Sequence, residues 1–135
     1  MLEEFGLGNM EIIKALSPFP GFGATGRICG AVTGGLVALG LYFGSDDLLN
    51  YAGTGATMTA ARIFLPRFEE TFSSLQCEDI QALILGRYMD PRGSKENFEA
   101  FVKAKGYEKC TIPAGIGARL AAEIIMESME ENLSH

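Results

Sequence analysis

The chain has 135 residues, a formal charge of -6 and 47% hydrophobic residues, enough to bury one core without cross-links. That acidic balance, with no dense block of Lys and Arg, excludes a phosphate-backbone partner, so nucleic acid is not expected. Three cysteines at wide spacing and a lone histidine at the last position, His135, exclude a secreted disulfide framework, a histidine triad and a multi-histidine zinc site.

Met1 to Glu4 is acidic where a secretory signal would be positive, and no apolar segment follows it, so a cytoplasmic protein is expected. Leu2 to Phe5 reads as the tail of a helix stopped by Gly6. Asn9 is placed to cap a short helix through Glu11, Ile12, Ile13 and Leu16, which Pro18 ends.

The stretch Gly21 to Gly44, GFGATGRICGAVTGGLVALGLYFG, is the centre of the pattern. From Ile28 to Phe43 it runs sixteen residues without a charge, four of them glycine, so its helix depends on packing more than on propensity. Helical spacing puts Ile28, Val32, Leu36, Leu39 and Phe43 on one bulky face. Gly26, Gly30 and Gly34 stack on another, where a backbone or a flat cofactor could come close.

Two motif matches in this stretch fail on context. GFGATG fits the dinucleotide pattern G-x-G-x-x-G, with Asp46 twenty residues beyond, but Ser17-Pro18-Phe19-Pro20 stands where a strand is required. NAD is therefore not expected. The spacing Gly26, Gly30, Gly34 fits a transmembrane dimer motif, but the apolar run stops short of the roughly 20 residues that cross a bilayer. Arg27 and Asp46-Asp47 close its ends, so the reading is a buried core helix and no transmembrane span.

Farther along, Ser45 with Asp46 and Asp47 suits a helix start, and Leu48 to about Ser74 is mostly helical. Gly53 and Gly55 weaken its first half and Pro66 kinks or interrupts the second, where Ile63, Phe64, Phe68 and Phe72 face the core, so two helices in tandem are expected. Cys77 opens a short helix, EDIQALIL, that Gly86 terminates. Arg87 to Gly93 is a loop. Ser94 starts a helix carrying Phe98, Phe101 and Val102 that ends at Gly106. Thr111 caps the last helix, Pro113 to about Asn132, with Ile116, Leu120, Ile124 and Met126 or Ser128 inward. No run reads as a strand. The expectation is an all-α, compact single-domain bundle of five to seven helices around the central glycine-rich apolar helix. Small glycine-faced helical domains often associate, so a homodimer is expected.

Cys29, Cys77 and Cys110 each fall in or just before the first turn of a predicted helix, where free N–H groups and the helix dipole favour thiolate and lower its pKa. Thiolate is also the form that binds iron or zinc. No C-x-x-C pair is present, and on residue pattern alone buried structural cysteines are the favoured reading.

The segment Cys29-Gly30-Ala31-Val32-Thr33-Gly34 resembles the CGAxxG core of the C_GCAxxG_C_C family, whose members are regarded as redox-active. The context is similar too: a glycine-rich loop before the motif, an apolar run after it, a Phe-rich helix leading into a cysteine as in FEETFSSLQCEDI, and a last cysteine before the final helix. The resemblance covers the chain from about Gly21 onward. It implies a small helical domain, residues 1–135, with redox-active or iron–sulfur-ligating cysteines and no established reaction. An electron-transfer or redox-accessory protein is therefore expected more than a catalyst, with an unidentified redox partner.

By this resemblance Cys29, Cys77 and Cys110 hold the second to fourth cysteine positions and are the metal ligands, with Gly30 and Gly34 beside the cofactor. The first position has no cysteine here: either residues 1–20 are a truncated N-terminal part that begins downstream of it, or that cysteine has been lost. Three thiols can hold an iron–sulfur cluster with another ligand, or make one disulfide and leave one thiol free. No C-x-x-C-H is present, so haem is not implied. The competing reading is a non-catalytic helical interaction or scaffold domain with structural cysteines.

Overall fold

The computed structural model describes residues 4–133. Among these residues there are six helices: α1 (Met10–Leu16), α2 (Gly30–Phe43), α3 (Tyr51–Phe72), α4 (Cys77–Leu85), α5 (Lys95–Lys103) and α6 (Thr111–Leu133). Two further segments, Gly21–Ala24 and Gly106–Lys109, are single turns, and the first has left-handed dihedrals at Phe22 and Gly23. The all-α class is as expected. Part of the helix tail expected at Leu2–Phe5, and His135, lie outside the described residues.

The helix boundaries follow capping chemistry. Asn9 accepts a hydrogen bond from the Ile12 N–H at 3.2 Å and Ser94 from the Asn97 N–H at 3.1 Å, each satisfying one orphan donor of a first turn. Gly86 ends α4 in the left-handed conformation, φ 91°, which costs glycine nothing sterically.

The long helices α2, α3 and α6 pack against one another. Their shared core includes Val32, Leu39, Phe64, Phe68, Leu120 and Ile125. Val32 and Leu39 are the buried members of the bulky face read from the sequence, with Ile28, Leu36 and Phe43 half-buried against them. Phe64, Phe68 and Phe72 form a ladder along α3, with ring centroids 6.0 and 5.0 Å apart.

Several sequence expectations are corrected. The segment read as two helices is one, and it starts at Tyr51 with Asn50 as its cap, because the Asn50 side chain accepts from Gly53 N–H at 3.2 Å. Pro66 lies inside it. The proline removes one hydrogen bond, but the aromatic ladder on either side is buried only if the helix runs on. Ile63 is exposed, as are Phe98, Val102 and Met126; on α6 the inward positions are Leu120, Ala121, Ile124 and Ile125.

The glycine face also differs from the expected one. Helix α2 begins at Gly30, so Gly26 precedes it, and nothing stands within 4 Å of where a Gly34 Cβ would be. Gly30 does come close to backbone, its Cβ 3.1 Å from Pro20 Cα, and Gly26 to Tyr88 at 3.0 Å, but the close approaches between the long helices are made by Gly35, whose Cβ would run into the Phe64 ring, and by Gly117 of α6, whose Cβ would lie 2.8 Å from the Ala31 carbonyl oxygen. The crossing point of the three long helices sits one residue around from the stripe that spacing alone singles out. Among the described residues no helix is long and apolar enough to cross a membrane.

Candidate functional site

Cys29 and Cys77 are brought together by a contact that no periodicity announces. Ile28 and Gln76 form an isolated antiparallel bridge. The Cys29 N–H donates to the Leu75 carbonyl at 2.9 Å, the Cys77 N–H to the Arg27 carbonyl at 2.6 Å, and the Glu78 N–H to the Gly26 carbonyl at 3.0 Å. Each cysteine follows a bridged residue, so the pleat turns both to the same side of this short ladder. The bridge also sets the starts of two helices: Cys29 is the cap residue of α2 and Cys77 the first residue of α4.

Cys110 arrives by another route. The turn Gly106–Lys109 folds beneath the ring of Phe101, and a Cβ on Gly106 would sit 2.3 Å from that ring, so only glycine lets the chain pass. The Cys110 N–H donates to the Gly106 carbonyl at 2.9 Å, and α6 begins at the next residue. Phe101 and Tyr107 meet edge to face at 4.9 Å, which fixes this corner.

All three cysteines line one cavity of about 620 Å³. Gly30 lines it as well; Gly34, one turn farther along α2, does not. The rest of the wall includes Gly21, Gln81, Tyr88, Arg92 and Tyr107. Gly21 is left-handed, φ +59°, and a Cβ there would stand 3.3 Å from the Cys77 sulfur, so the glycine loop covers that thiol with bare backbone. Tyr88 packs over Gly26 and its hydroxyl donates to the Ala24 carbonyl at 3.4 Å. A larger, more open groove lined by Leu65, Pro66, Glu69 and Glu70 contains no thiol.

The electrostatics correct the expectation of lowered thiol pKa values. Burial pushes all three thiols up. For Cys29 the backbone N–H groups of Ala31 and Val32 work in the other direction and lose to desolvation. Cys77 is pushed up to about 11 by burial and then by the charge of Cys29, while a hydrogen bond from Gln81 partly opposes the rise. Cys110 is raised by burial and by the charge of Cys29. The helix-start positions are as the sequence implied, but removing a sulfur from water costs the charged form more than a few amide dipoles return.

None of the three cysteines is in a disulfide. Among the described residues no group of three His, Cys, Asp or Glu side chains is arranged to hold a single metal ion. The thiols share a cavity without forming a ready chelate for a lone ion.

Sequence reasoning missed Gln81, Tyr88, Arg92 and Tyr107. One signal was available: Gln81 stands four residues after Cys77, one helical turn along α4. The others reach the cavity through loops whose course no spacing rule supplies.

The fold and the cavity define a small helical protein with three thiols on one cavity, Cys29 buried and Cys77 and Cys110 half-buried. The family model described as "Putative redox-active protein (C_GCAxxG_C_C)" matches residues 1–124, and the chain belongs to that family. No curated protein and no solved structure gives a significant match.

Proposed function

We propose that this protein is an electron carrier in which Cys29, Cys77 and Cys110 together hold an iron–sulfur cluster. The observation that carries the reading is the convergence of three thiols, distant in sequence, on one cavity. Three thiols around one cavity would suit a cluster completed by a further, non-cysteine ligand, since cluster ligands stand apart by the width of the cluster and need not meet at one point. Burial favours ligation over free thiol exchange: a neutral, desolvated thiol is a poor nucleophile, whereas a bound metal drives its own ligands to deprotonate. The cluster would supply reversible one-electron transfer. The chain's own part is to hold the sulfurs, keep water away with the glycine loop and the Phe101–Tyr107 corner, and set the local field.

Anaerobic reconstitution with iron and sulfide tests this. The expected product is coloured, with iron and sulfide bound in proportion to protein, and it is lost in each of Cys29→Ala, Cys77→Ala and Cys110→Ala. A colourless, iron-free protein whose thiols never change state under oxidants would leave only the scaffold reading.

A second reading is favoured by the Ile28–Gln76 bridge. It holds Cys29 and Cys77 on the same side of one short ladder in diagonal positions, from which a small backbone shift would let a reversible disulfide close. Two thiols would then give up two electrons and two protons to an oxidant and close an S–S bond. Iron assay and mass spectrometry on protein that has been offered iron and sulfide and then mildly oxidised separate the readings: a Cys29–Cys77 linkage with no iron bound selects this one, and bound iron without the linkage selects the cluster.

A further inference from the structure

Gln81 is the one buried polar or charged side chain among the described residues, 5% exposed, and its burial is explained by two contacts. Its Oε1 accepts from the Met89 N–H at 3.0 Å. Its Nε2 donates to the Cys77 sulfur at 3.7 Å. The first contact settles the second: turned over, the amide would set its own N–H₂ against the Met89 N–H donor and lose the acceptor. The chain reverses at Gly86 and brings Met89, itself 7% exposed, back over α4. The carboxamide is thus clamped from one side with its donors aimed at the sulfur on the other.

We propose that Gln81 is a positioning residue for the redox site, holding Cys77 by an N–H···S hydrogen bond and raising the reduction potential of whatever couple the sulfur takes part in. The assignment rests on the redox reading given above. A donor to sulfur stabilises the more electron-rich, reduced state, in which more negative charge lies on the sulfur. For a cluster, whose reduced state carries the added charge, removing the donor moves the midpoint potential negative; in a thiol couple the donor acts on the thiolate fraction of the reduced state, so the shift has the same direction and is smaller. The side chain does not touch an electron acceptor, and its effect runs entirely through Cys77.

Gln81→Met and Gln81→Glu separate this role from a structural one. Methionine has nearly the same length and offers no donor, but leaves the Met89 N–H without its partner. Glutamate keeps an acceptor for Met89, also lacks the donor, and adds negative charge near the sulfur. Both midpoints are expected to move negative, Gln81→Met by about a tenfold change in the couple's equilibrium constant, or about 59 mV for a one-electron couple. Both are expected to lose some Tm, Gln81→Met through the unpartnered Met89 N–H and Gln81→Glu through a carboxylate placed at a position only 5% exposed. A midpoint equal to wild type in either variant overturns the proposal and leaves Gln81 as a clamp on the loop; should Gln81→Met fail to fold, Gln81→Glu decides. In cluster-free protein, protection of the Gln81 side-chain amide protons from exchange should vanish in Cys77→Ala and persist in Cys110→Ala. Unchanged protection in Cys77→Ala also overturns it. Wild-type protein with no measurable couple would sink the redox reading itself, an outcome distinct from a wild-type couple that the variants fail to shift.

Discussion

Alanine at Gly35 and alanine at Gly34, neighbours on α2, should move stability in opposite directions. A Cβ at Gly35 would stand 2.3 Å from Cζ and 2.7 Å from Cε2 of Phe64. Ordinary carbon–carbon contact is about 3.5–4.0 Å, so the ring must retreat by more than an ångström. Phe64 is fully buried and stacked on Phe68, which in turn packs on Phe72, so the displacement is passed along the whole ladder. Overpacking of this kind costs about 1–3 kcal/mol, against about 1 kcal/mol gained from replacing glycine inside a helix. The net for Gly35→Ala is a loss of up to about 2 kcal/mol. Gly34→Ala meets no atom within 4 Å and keeps only the gain, up to about 1 kcal/mol. For a domain of this size the two variants should differ by on the order of 10 °C in thermal unfolding followed by circular dichroism. Gly35→Ala melting at or above Gly34→Ala would refute the packing argument and with it the crossing geometry of α2 and α3.

The thiols of iron-free protein should react slowly with iodoacetamide at neutral pH and faster as pH climbs, Cys77 last, because burial holds it near 11 against an ordinary 9.0. The sign for stability follows: a thiol kept neutral by the fold stabilises it fully below the ordinary thiol range, and that contribution is lost as pH rises from about 9 toward 11. Chemical denaturation at stepped pH should therefore show weakening over that window, and native Cys77 reacting at pH 7 as fast as in denatured protein would contradict it. Gly21→Ala should disturb the site directly, since it forces a side chain into φ +59° at 3.3 Å from the Cys77 sulfur. The left-handed strain alone costs about 1–2 kcal/mol; iron bound per chain after reconstitution should fall, and wild-type loading with wild-type Tm would show that the loop does not press on Cys77.

Much of the fold was legible because its causes are local. The caps at Asn9 and Ser94, the glycine stop at Gly86 and the apolar run behind Cys29 act within one or two turns, and the residues that act are adjacent in the chain. The same holds for the placement of the three cysteines at helix starts. Errors came where local and non-local effects compete. Pro66 is a breaker by propensity, yet the helix continues because Phe64, Phe68 and Phe72 are buried together only on a continuous α3. Gly34 and Gly35 are alike as sequence, and only the position of the Phe64 ring tells them apart.

The amino-acid order by itself determined a helical chain with a central glycine-rich helix and three thiols at helix starts, because periodicity, capping and turn chemistry are written into neighbouring residues. Tertiary structure decided that those thiols share a cavity, through the Ile28–Gln76 bridge and the Phe101–Gly106 corner, and that Gln81 reaches Cys77 with its amide clamped by Met89. It also reversed the sign of the thiol pKa shifts. A helix start is a local feature that favours thiolate, whereas desolvation depends on everything packed around the sulfur, and here the second effect is the larger.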